Sequence, residues 1–195
     1  NTSTTGPAPY ANWYASGKHQ MLFRASELNA VGITGGKIDQ LEFNVVTISG
    51  ITLYHQYTIN MGCTSLNALT TWVTGLSNVY TPKNYTVTTG WNAHPFDVAY
   101  EWDGISNLIV EICFNEGPPY PNYTTSCLSP YTVTPFISCL YNYSDSSPMC
   151  PDLGFATTTS NRPNVRFTYC GAAPDSSVYS YVWAPTVFNP STQVT

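Results

Sequence analysis

The sequence predicts an all-β fold, an antiparallel and jelly-roll-like β-sandwich that carries two short helical turns. Apolar and polar residues alternate over many short runs, which is the period of half-buried strands. Glycine and proline, 13 and 15 residues respectively, separate those runs. Only two segments have a helical pattern, and many short strands with such punctuation are typical of a sandwich. With 195 residues, of which 43% are hydrophobic, the chain is large enough for one substantial core.

Residues 1–12 (NTSTTGPAPYAN) are predicted to form an extended N-terminal arm outside the core, because they contain glycine and proline without apolar periodicity. This polar opening also predicts a mature product from which a leader has been removed. The β-sandwich domain is predicted over residues 13–170. Its first strands are expected over Gln20–Phe23, Lys37–Ile48 and Leu53–Met61.

Two short helical turns are predicted between these strands. Ser26 is a residue type that caps helices, and it precedes Glu27–Ala30, which Gly32 would end. Thr64 has the same relation to the segment Ser65–Trp72, where the second turn is expected.

The stretch Phe96–Phe114 (FDVAYEWDGISNLIVEICF) is predicted to be the central hairpin. Apolar and polar residues alternate from Phe96 to Trp102, as in a half-buried strand. Leu108 to Phe114 is almost continuously apolar, which predicts a strand near the middle of a sheet. The short turn-forming stretch that begins at Asp103 predicts that the two strands pair with each other.

Residues 171–195 are predicted to form a C-terminal arm that contains one strand. In the segment VYSYVW, Tyr179, Tyr181 and Trp183 share one side and Val178 and Val182 share the other. No hairpin partner lies close to this segment in the sequence, so an unpaired strand is predicted. An unpaired amphipathic strand tends to pair with another chain.

Charged residues make up only 9% of the chain, whereas an average soluble domain has about 25%. Lysine and arginine total 6, so the basic stripe of a nucleic-acid-binding protein is absent from the sequence. No apolar run is long enough to span a membrane, and no membrane insertion is expected. A neutral surface rich in tyrosine and threonine loses little free energy when it is desolvated, which favours extended protein contacts.

The six cysteines predict disulfides in an oxidising compartment, since their even number comes without a C-x-x-C pair. The three histidines are scattered, so a zinc site is not expected. Sequence cannot choose among fifteen pairings; the expectation is one bridge from Cys127 to Cys139 and another that ties Cys150 to Cys170. The disulfide candidates are Cys63, Cys113, Cys127, Cys139, Cys150 and Cys170.

Four segments together resemble a β-sandwich domain of secreted and cell-surface proteins of Bacteroidota-type bacteria, which are exported by the type IX route. They are MLFRASELNAVGITGGKIDQLEFNV, YTINMGCTSLNALTTWVTGLSNVY, GWNAHPFDVAYEWDGISNLIVEICFNE and NRPNVRFTYC. The resemblance covers residues 13–170 and includes no catalytic motif. It implies an extracellular module of a longer chain, often followed by immunoglobulin-like repeats.

Acidic residues are the main candidates for chemistry. Asp97, Glu101 and Asp103 share one face of the predicted strand, and an outward-facing Glu111 is expected across the hairpin. A solvated strand face is the preferred interpretation; a calcium site is next, and paired carboxylates for glycoside hydrolysis are last. His94 is interpreted as a structural histidine, because no nucleophile motif accompanies it.

Aromatic residues in the predicted loops and arms suit either glycan stacking or a protein interface. These rings are Trp13, Tyr14, Tyr120, Tyr123, Tyr141, Tyr143 and Tyr179.

The preferred function is that of a non-enzymatic extracellular structural protein, which self-assembles into a filament, tube or surface layer. A terminal arm of one subunit would add a strand to a sheet of the next, with Val178–Trp183 as the assembly strand. The expected partner is therefore a second copy of the chain. The alternative is a carbohydrate-binding or adhesin module, with glycans as partners.

Overall fold

The computed structural model describes residues 2–3, 9–10, 14–117, 126–171 and 178–182. These residues form fourteen strands and one short helix. In chain order the elements are β1 (Thr2–Ser3), β2 (Ser16–Phe23), α1 (Ala25–Ala30), β3 (Gly36–Val45), β4 (Thr47–Ser49), β5 (Leu53–Thr64), β6 (Ser77–Thr86), β7 (Gly90–Trp102), β8 (Asn107–Asn115), β9 (Ser126–Val133), β10 (Cys139–Ser144), β11 (Thr157–Thr159), β12 (Asn161–Pro163), β13 (Val165–Gly171) and β14 (Val178–Val182).

The strands form antiparallel sheets, which confirms the predicted all-β class. A six-stranded sheet has the order β11-β10-β2-β8-β5-β6, and a four-stranded sheet has the order β14-β13-β3-β7. A further group forms around β9, which pairs with β1, β4 and β12. As predicted, the apolar strand β8 lies inside its sheet, between β2 and β5.

The main core lies where the six-stranded and four-stranded sheets face each other. Side chains of one strand alternate between its two faces, so every second residue of β8 joins this core, from Leu108 to Phe114. Phe23 of β2 and Phe167 of β13 meet edge to face at 5.4 Å between ring centroids. The opposite face of β8 is buried as well, because Ile109 packs in a second apolar cluster with Leu69.

The predicted hairpin over Phe96–Phe114 is wrong. β7 pairs with β3 in the four-stranded sheet, whereas β8 pairs with β2 and β5 in the other sheet. At the turn, the Asp103 carboxylate accepts hydrogen bonds from the N–H groups of Ile105 and Ser106, both at 2.8 Å. Gly104 has a φ of +74° and lies against the Thr34 carbonyl. This turn carries the chain from one sheet to the other instead of folding it back within one sheet.

Only one of the two predicted helical turns is helical. α1 begins at Ala25 and has Arg24 as its N-cap, so Ser26 lies inside the helix and does not cap it. The segment Ser65–Trp72 is irregular. Its Leu69 N–H donates to the Ile137 carbonyl at 2.8 Å, so tertiary contact replaces the local helical hydrogen bond.

The prediction that residues 1–12 lie outside the core is wrong at Tyr10. Its side chain is fully buried between the sheets, beside Tyr54 and Tyr57 of β5 and His94 of β7. The Tyr10 hydroxyl and His94 Nε2 are 2.5 Å apart, and the Tyr54 hydroxyl donates to the Tyr10 carbonyl. A proline-rich opening segment has no periodicity from which such an anchor could be predicted.

The C-terminal strand has a partner within its own chain, which corrects the prediction of an unpaired strand. β14 pairs antiparallel with β13 over five residue pairs, from Arg166–Val182 to Cys170–Val178. A tight hairpin is expected for any partner that is close in sequence. The connection from β13 to β14, residues 172–177, is longer than the turn of a tight hairpin. Trp183, the last predicted residue of the assembly strand, lies outside the described residues.

Candidate functional site

A polar pocket opens on the outer face of the six-stranded sheet, and we call it the sheet-face pocket. Three adjacent strands place Gln20, Glu111 and Asn60 in one row across this face, because both Gln20 and Asn60 are opposite Glu111 in register. The pocket has a volume of about 200 Å³. Its lining residues are Lys18, Asn60, Val73, Thr74, Gly75, Leu76, Glu111 and Leu153.

A buried ion pair forms the floor of the sheet-face pocket. Lys18 is 3% exposed and Glu111 is 6% exposed, and the Lys18 Nζ lies 3.4 Å from the Glu111 Oε2. The Asn60 amide donates to Glu111 Oε1 at 2.8 Å, and the Gln20 amide donates to Oε2 at 2.7 Å. The Lys18 ammonium also donates to the Asp152 carbonyl at 2.9 Å. A buried charge requires such partners, because an uncompensated one is strongly destabilising.

Two loops form the walls of the pocket, and each is attached to the sheet. The Gln20 side chain donates to the Val73 carbonyl at 2.7 Å and accepts from the Val73 N–H at 2.9 Å, which holds the loop between β5 and β6. The second loop follows β10, and the Cys113–Cys150 disulfide ties it to β8. The Trp72 indole donates to the Gly154 carbonyl at 3.2 Å and so joins the two loops.

The four acidic residues that sequence analysis grouped do not form one site. The Asp97 carboxylate binds the Lys83 ammonium at 2.8 Å and the Thr81 N–H and hydroxyl. These hydrogen bonds lower the pKa of Asp97 to about 2, and the bond from Lys83 makes the largest contribution. Glu101 forms a separate ion pair, in which its Oε1 lies 3.6 Å from the Nζ of Lys37.

Asp103 belongs to the turn after β7, and Glu111 lies on the other sheet. The expectation that Glu111 faces outward into solvent across a hairpin is therefore wrong. In the part of the chain that the structure describes, no group of three or more His, Cys, Asp or Glu residues is placed to hold a metal ion.

His94 lies in the main core, inside a cluster of aromatic rings. Its ring centroid is 4.1 Å from that of Tyr85 and 4.9 Å from that of Tyr57. Burial, with a smaller contribution from Lys83, lowers the pKa of His94 to about 3. The imidazole is therefore neutral at physiological pH, and its Nε2 contacts the Tyr10 hydroxyl.

One disulfide links Cys113 to Cys150, so the expected bridges from Cys127 to Cys139 and from Cys150 to Cys170 are wrong. The bonded cysteines are 37 residues apart in sequence, and only the packing of the loop after β10 against β8 brings them together. Cys127 and Cys139 are buried thiols, and burial raises the pKa of Cys139 to about 12. Cys63 is an exposed free thiol that accepts a hydrogen bond from the Tyr100 hydroxyl at 3.3 Å.

The predicted stacking rings are dispersed. Tyr14 is 39% exposed and stacks on Tyr143 at 5.1 Å, while Tyr141 stacks on the buried His19. The hydroxyl of Tyr143 is buried, so this ring is not a free platform for a ligand. Trp13, Tyr120 and Tyr123 lie outside the described residues, as does the side chain of Tyr179.

The sequence patterns do not identify Lys18, Asn60 and Trp72, which form or border the sheet-face pocket. A signal was present, since Lys18 is one of only 6 basic residues and lies shortly before the apolar run Met21–Phe23. Glu111 is likewise the single charge within an apolar strand. Opposite charges that are each the single charge of a buried strand indicate a buried pair when the strands are neighbours.

Comparisons with protein-family models, with curated proteins and with solved structures find no match to this chain. No helix among the described residues has both the length and the apolar composition that crossing a membrane requires.

Proposed function

We propose that this protein is a non-enzymatic extracellular structural protein that self-assembles into a filament, tube or surface layer by strand addition between subunits. The observation that carries the proposal is the position of β14. Within the described residues, this strand ends the four-stranded sheet and pairs with β13 alone. It is also the last described element of the chain, so it can leave the sheet without moving any other described strand.

Strand exchange would keep every hydrogen bond of this sheet edge. If β14 of one subunit pairs with the edge of β13 in the next subunit, the same backbone groups form hydrogen bonds between chains instead of within one chain. Such a contact joins two different surfaces, the arm and the β13 edge. A contact of this heterologous type builds an open polymer when its rotation does not close into a ring.

The N-terminal segment supports the same mode of assembly. Tyr10 is fully buried between the sheets, and β1 pairs with β9. A single buried tyrosine that completes the core is an anchor that a neighbouring subunit can supply in the same way.

The remaining features of the proposal rest on composition and on the topology. The low charge content of 9% reduces repulsion between copies, and a disulfide is typical of an extracellular or cell-surface location. We include the jelly-roll-like arrangement in the proposal, because the chain passes from one large sheet to the other and back at β2, β3 and β5. The resemblance to type IX-exported bacterial surface domains agrees with this location.

A mixing experiment tests the exchange of β14. Thr168 of β13 and Ser180 of β14 are opposite in register. Two full-length proteins, one carrying Thr168→Cys and the other Ser180→Cys, are mixed under oxidising conditions and separated by mass. Exchange between subunits predicts a disulfide-linked heterodimer with a bond from position 168 to position 180, located by peptide mass spectrometry.

The control mixture pairs Thr168→Cys with Thr71→Cys, an exposed position in the loop between β5 and β6. It reports the background from the native free thiols. The double variant Thr168→Cys with Ser180→Cys measures bonding within one chain. A heterodimer yield equal to this background, with bonding confined to the double variant, would refute strand exchange.

Negative-stain microscopy tests the assembly itself. The full chain is expected to form extended particles, and a chain that ends at Gly171 is expected to remain a folded monomer. Particles of unchanged length from the shortened chain would show that β14 is not the assembly strand. A full chain that remains monomeric at high concentration would overturn the proposed function as a whole.

A further inference from the structure

We propose that the sheet-face pocket binds one sugar unit of a neutral carbohydrate. The pocket lies on the six-stranded sheet, whereas β14 belongs to the four-stranded sheet, so this inference does not depend on the assembly proposal. It would give an assembled surface one glycan-binding site in each subunit.

The charge of the pocket selects a neutral ligand. Lys18 and Glu111 are its two charged lining residues, and their charges cancel. A buried anion beside Glu111 or a buried cation beside Lys18 would face a like charge in a region of reduced dielectric. A hydroxyl group adds no net charge, and it both donates and accepts hydrogen bonds.

The ion pair retains hydrogen-bonding capacity that a hydroxyl group can use. A carboxylate has about four acceptor positions, and those of Glu111 receive Asn60, Gln20 and Lys18 within the described structure. An ammonium has three donors, and that of Lys18 contacts the Asp152 carbonyl and Glu111. Glu111 therefore retains one acceptor position at the floor of the pocket, which suits a hydroxyl group of a sugar ring.

The walls supply the apolar contacts that the C–H faces of a sugar need. Leu76 and Leu153 line the pocket, and Leu153 is 58% exposed at its rim. Phe155, two residues further along the same loop, is 76% exposed. The Trp72 ring adjoins the floor, with the Lys18 ammonium 4.7 Å from its centroid. Exposed apolar side chains around a polar floor indicate a ligand with both polar and apolar surfaces.

The size of the pocket limits the ligand to a single sugar unit. Its volume of about 200 Å³ lies below the roughly 300–1,000 Å³ of sites for drug-sized molecules. The Gln20 hydrogen bonds and the disulfide hold both walls before a ligand arrives, which reduces the ordering cost of binding. A ligand with so few atoms is expected to bind with a Kd of about 1 mM.

The test is a titration of the full chain, followed by protein NMR, with four methyl pyranosides: glucoside, galactoside, mannoside and N-acetylglucosaminide. We expect at least one of them to shift the Trp72 indole N–H signal in a saturable manner. Methyl glucuronide, which is an anion, should bind at least about tenfold more weakly than the matching glucoside, a difference of about 1.4 kcal/mol.

A variant that fills the pocket separates specific binding from surface contact. Thr74→Trp places a large ring at an exposed lining position, so the fold should persist while binding weakens at least about tenfold. Thr70→Trp is the matched control, because Thr70 is exposed on the same loop and does not line the pocket. The absence of a saturable shift with all four neutral sugars would overturn the proposal, and so would equal binding by Thr74→Trp and the unaltered chain.

Discussion

Replacing Tyr10 by alanine should destabilise the protein strongly, although the residue belongs to a segment with no sequence signal for burial. The Tyr10 ring stacks on Tyr57 at 5.6 Å and on Tyr85 at 6.2 Å, and it meets Phe43 edge to face at 6.0 Å. Its hydroxyl contacts His94 Nε2. The substitution therefore removes both a buried ring and the hydrogen-bond partner of a buried imidazole.

The two losses have different magnitudes. Truncating a fully buried aromatic side chain to alanine costs about 3–5 kcal/mol. Leaving the buried His94 Nε2 without a partner costs about 1–3 kcal/mol more. Tyr10→Phe keeps the ring and should lose only the second contribution. In a chain of this size, Tyr10→Ala should lower the melting temperature by at least about 8 °C.

Urea unfolding followed by tyrosine fluorescence measures both variants, and Phe155→Ala is the control. Phe155 is 76% exposed, so its loss should change the free energy of unfolding by less than about 0.5 kcal/mol. If Tyr10→Ala is as stable as this control, the segment does not anchor in the core. The arm would then be external, as the sequence predicts.

Two further variants test the buried histidines and the disulfide. Burial lowers the pKa of both His19 and His94 from 6.5 to about 3. Because the folded state keeps them neutral, stability should be greatest above pH 6.5 and should fall by about 1.4 kcal/mol per pH unit for each histidine as the pH drops towards 3. The free energy of unfolding of His19→Phe, measured by urea unfolding at several pH values, should therefore depend less on pH than that of the unaltered chain, by the contribution of one histidine. An unchanged pH dependence would contradict the lowered pKa of His19. Cys113→Ser removes the disulfide between residues 37 apart in sequence and should lower the free energy of unfolding by about 3–4 kcal/mol in the same assay. Cys63→Ser, at an exposed free thiol, should change stability by less than about 0.5 kcal/mol, and equal stability of the two serine variants would show that the disulfide is not formed.

The apolar pattern of β8 shows which features of a strand periodicity can predict and which it cannot. A nearly unbroken apolar run predicts a strand with neighbours on both sides, and β8 does lie between β2 and β5. The same pattern does not reveal whether β7 pairs with β8 or faces it across the core. That difference depends on the turn at Asp103, where side-chain and backbone hydrogen bonds direct the chain into the opposite sheet.

The sheet-face pocket shows why the candidate site was less predictable than the fold. Lys18 and Glu111 are 93 positions apart in the printed sequence, and strand register alone places them together. The acidic residues that are close in sequence, Asp97 and Asp103, instead bind different partners. Proximity along a strand is therefore a poor guide to a shared site.

By itself, the sequence determined the all-β class, most strand positions and the presence of disulfide chemistry, because these depend on side-chain periodicity, turn residues and composition. Only the tertiary structure decided which strands pair, which cysteines bond, that Tyr10 enters the core and that β14 closes the edge at β13. The physical reason is the same in each case. These features are contacts between residues far apart in the chain, and their free energy depends on three-dimensional packing that no local pattern encodes.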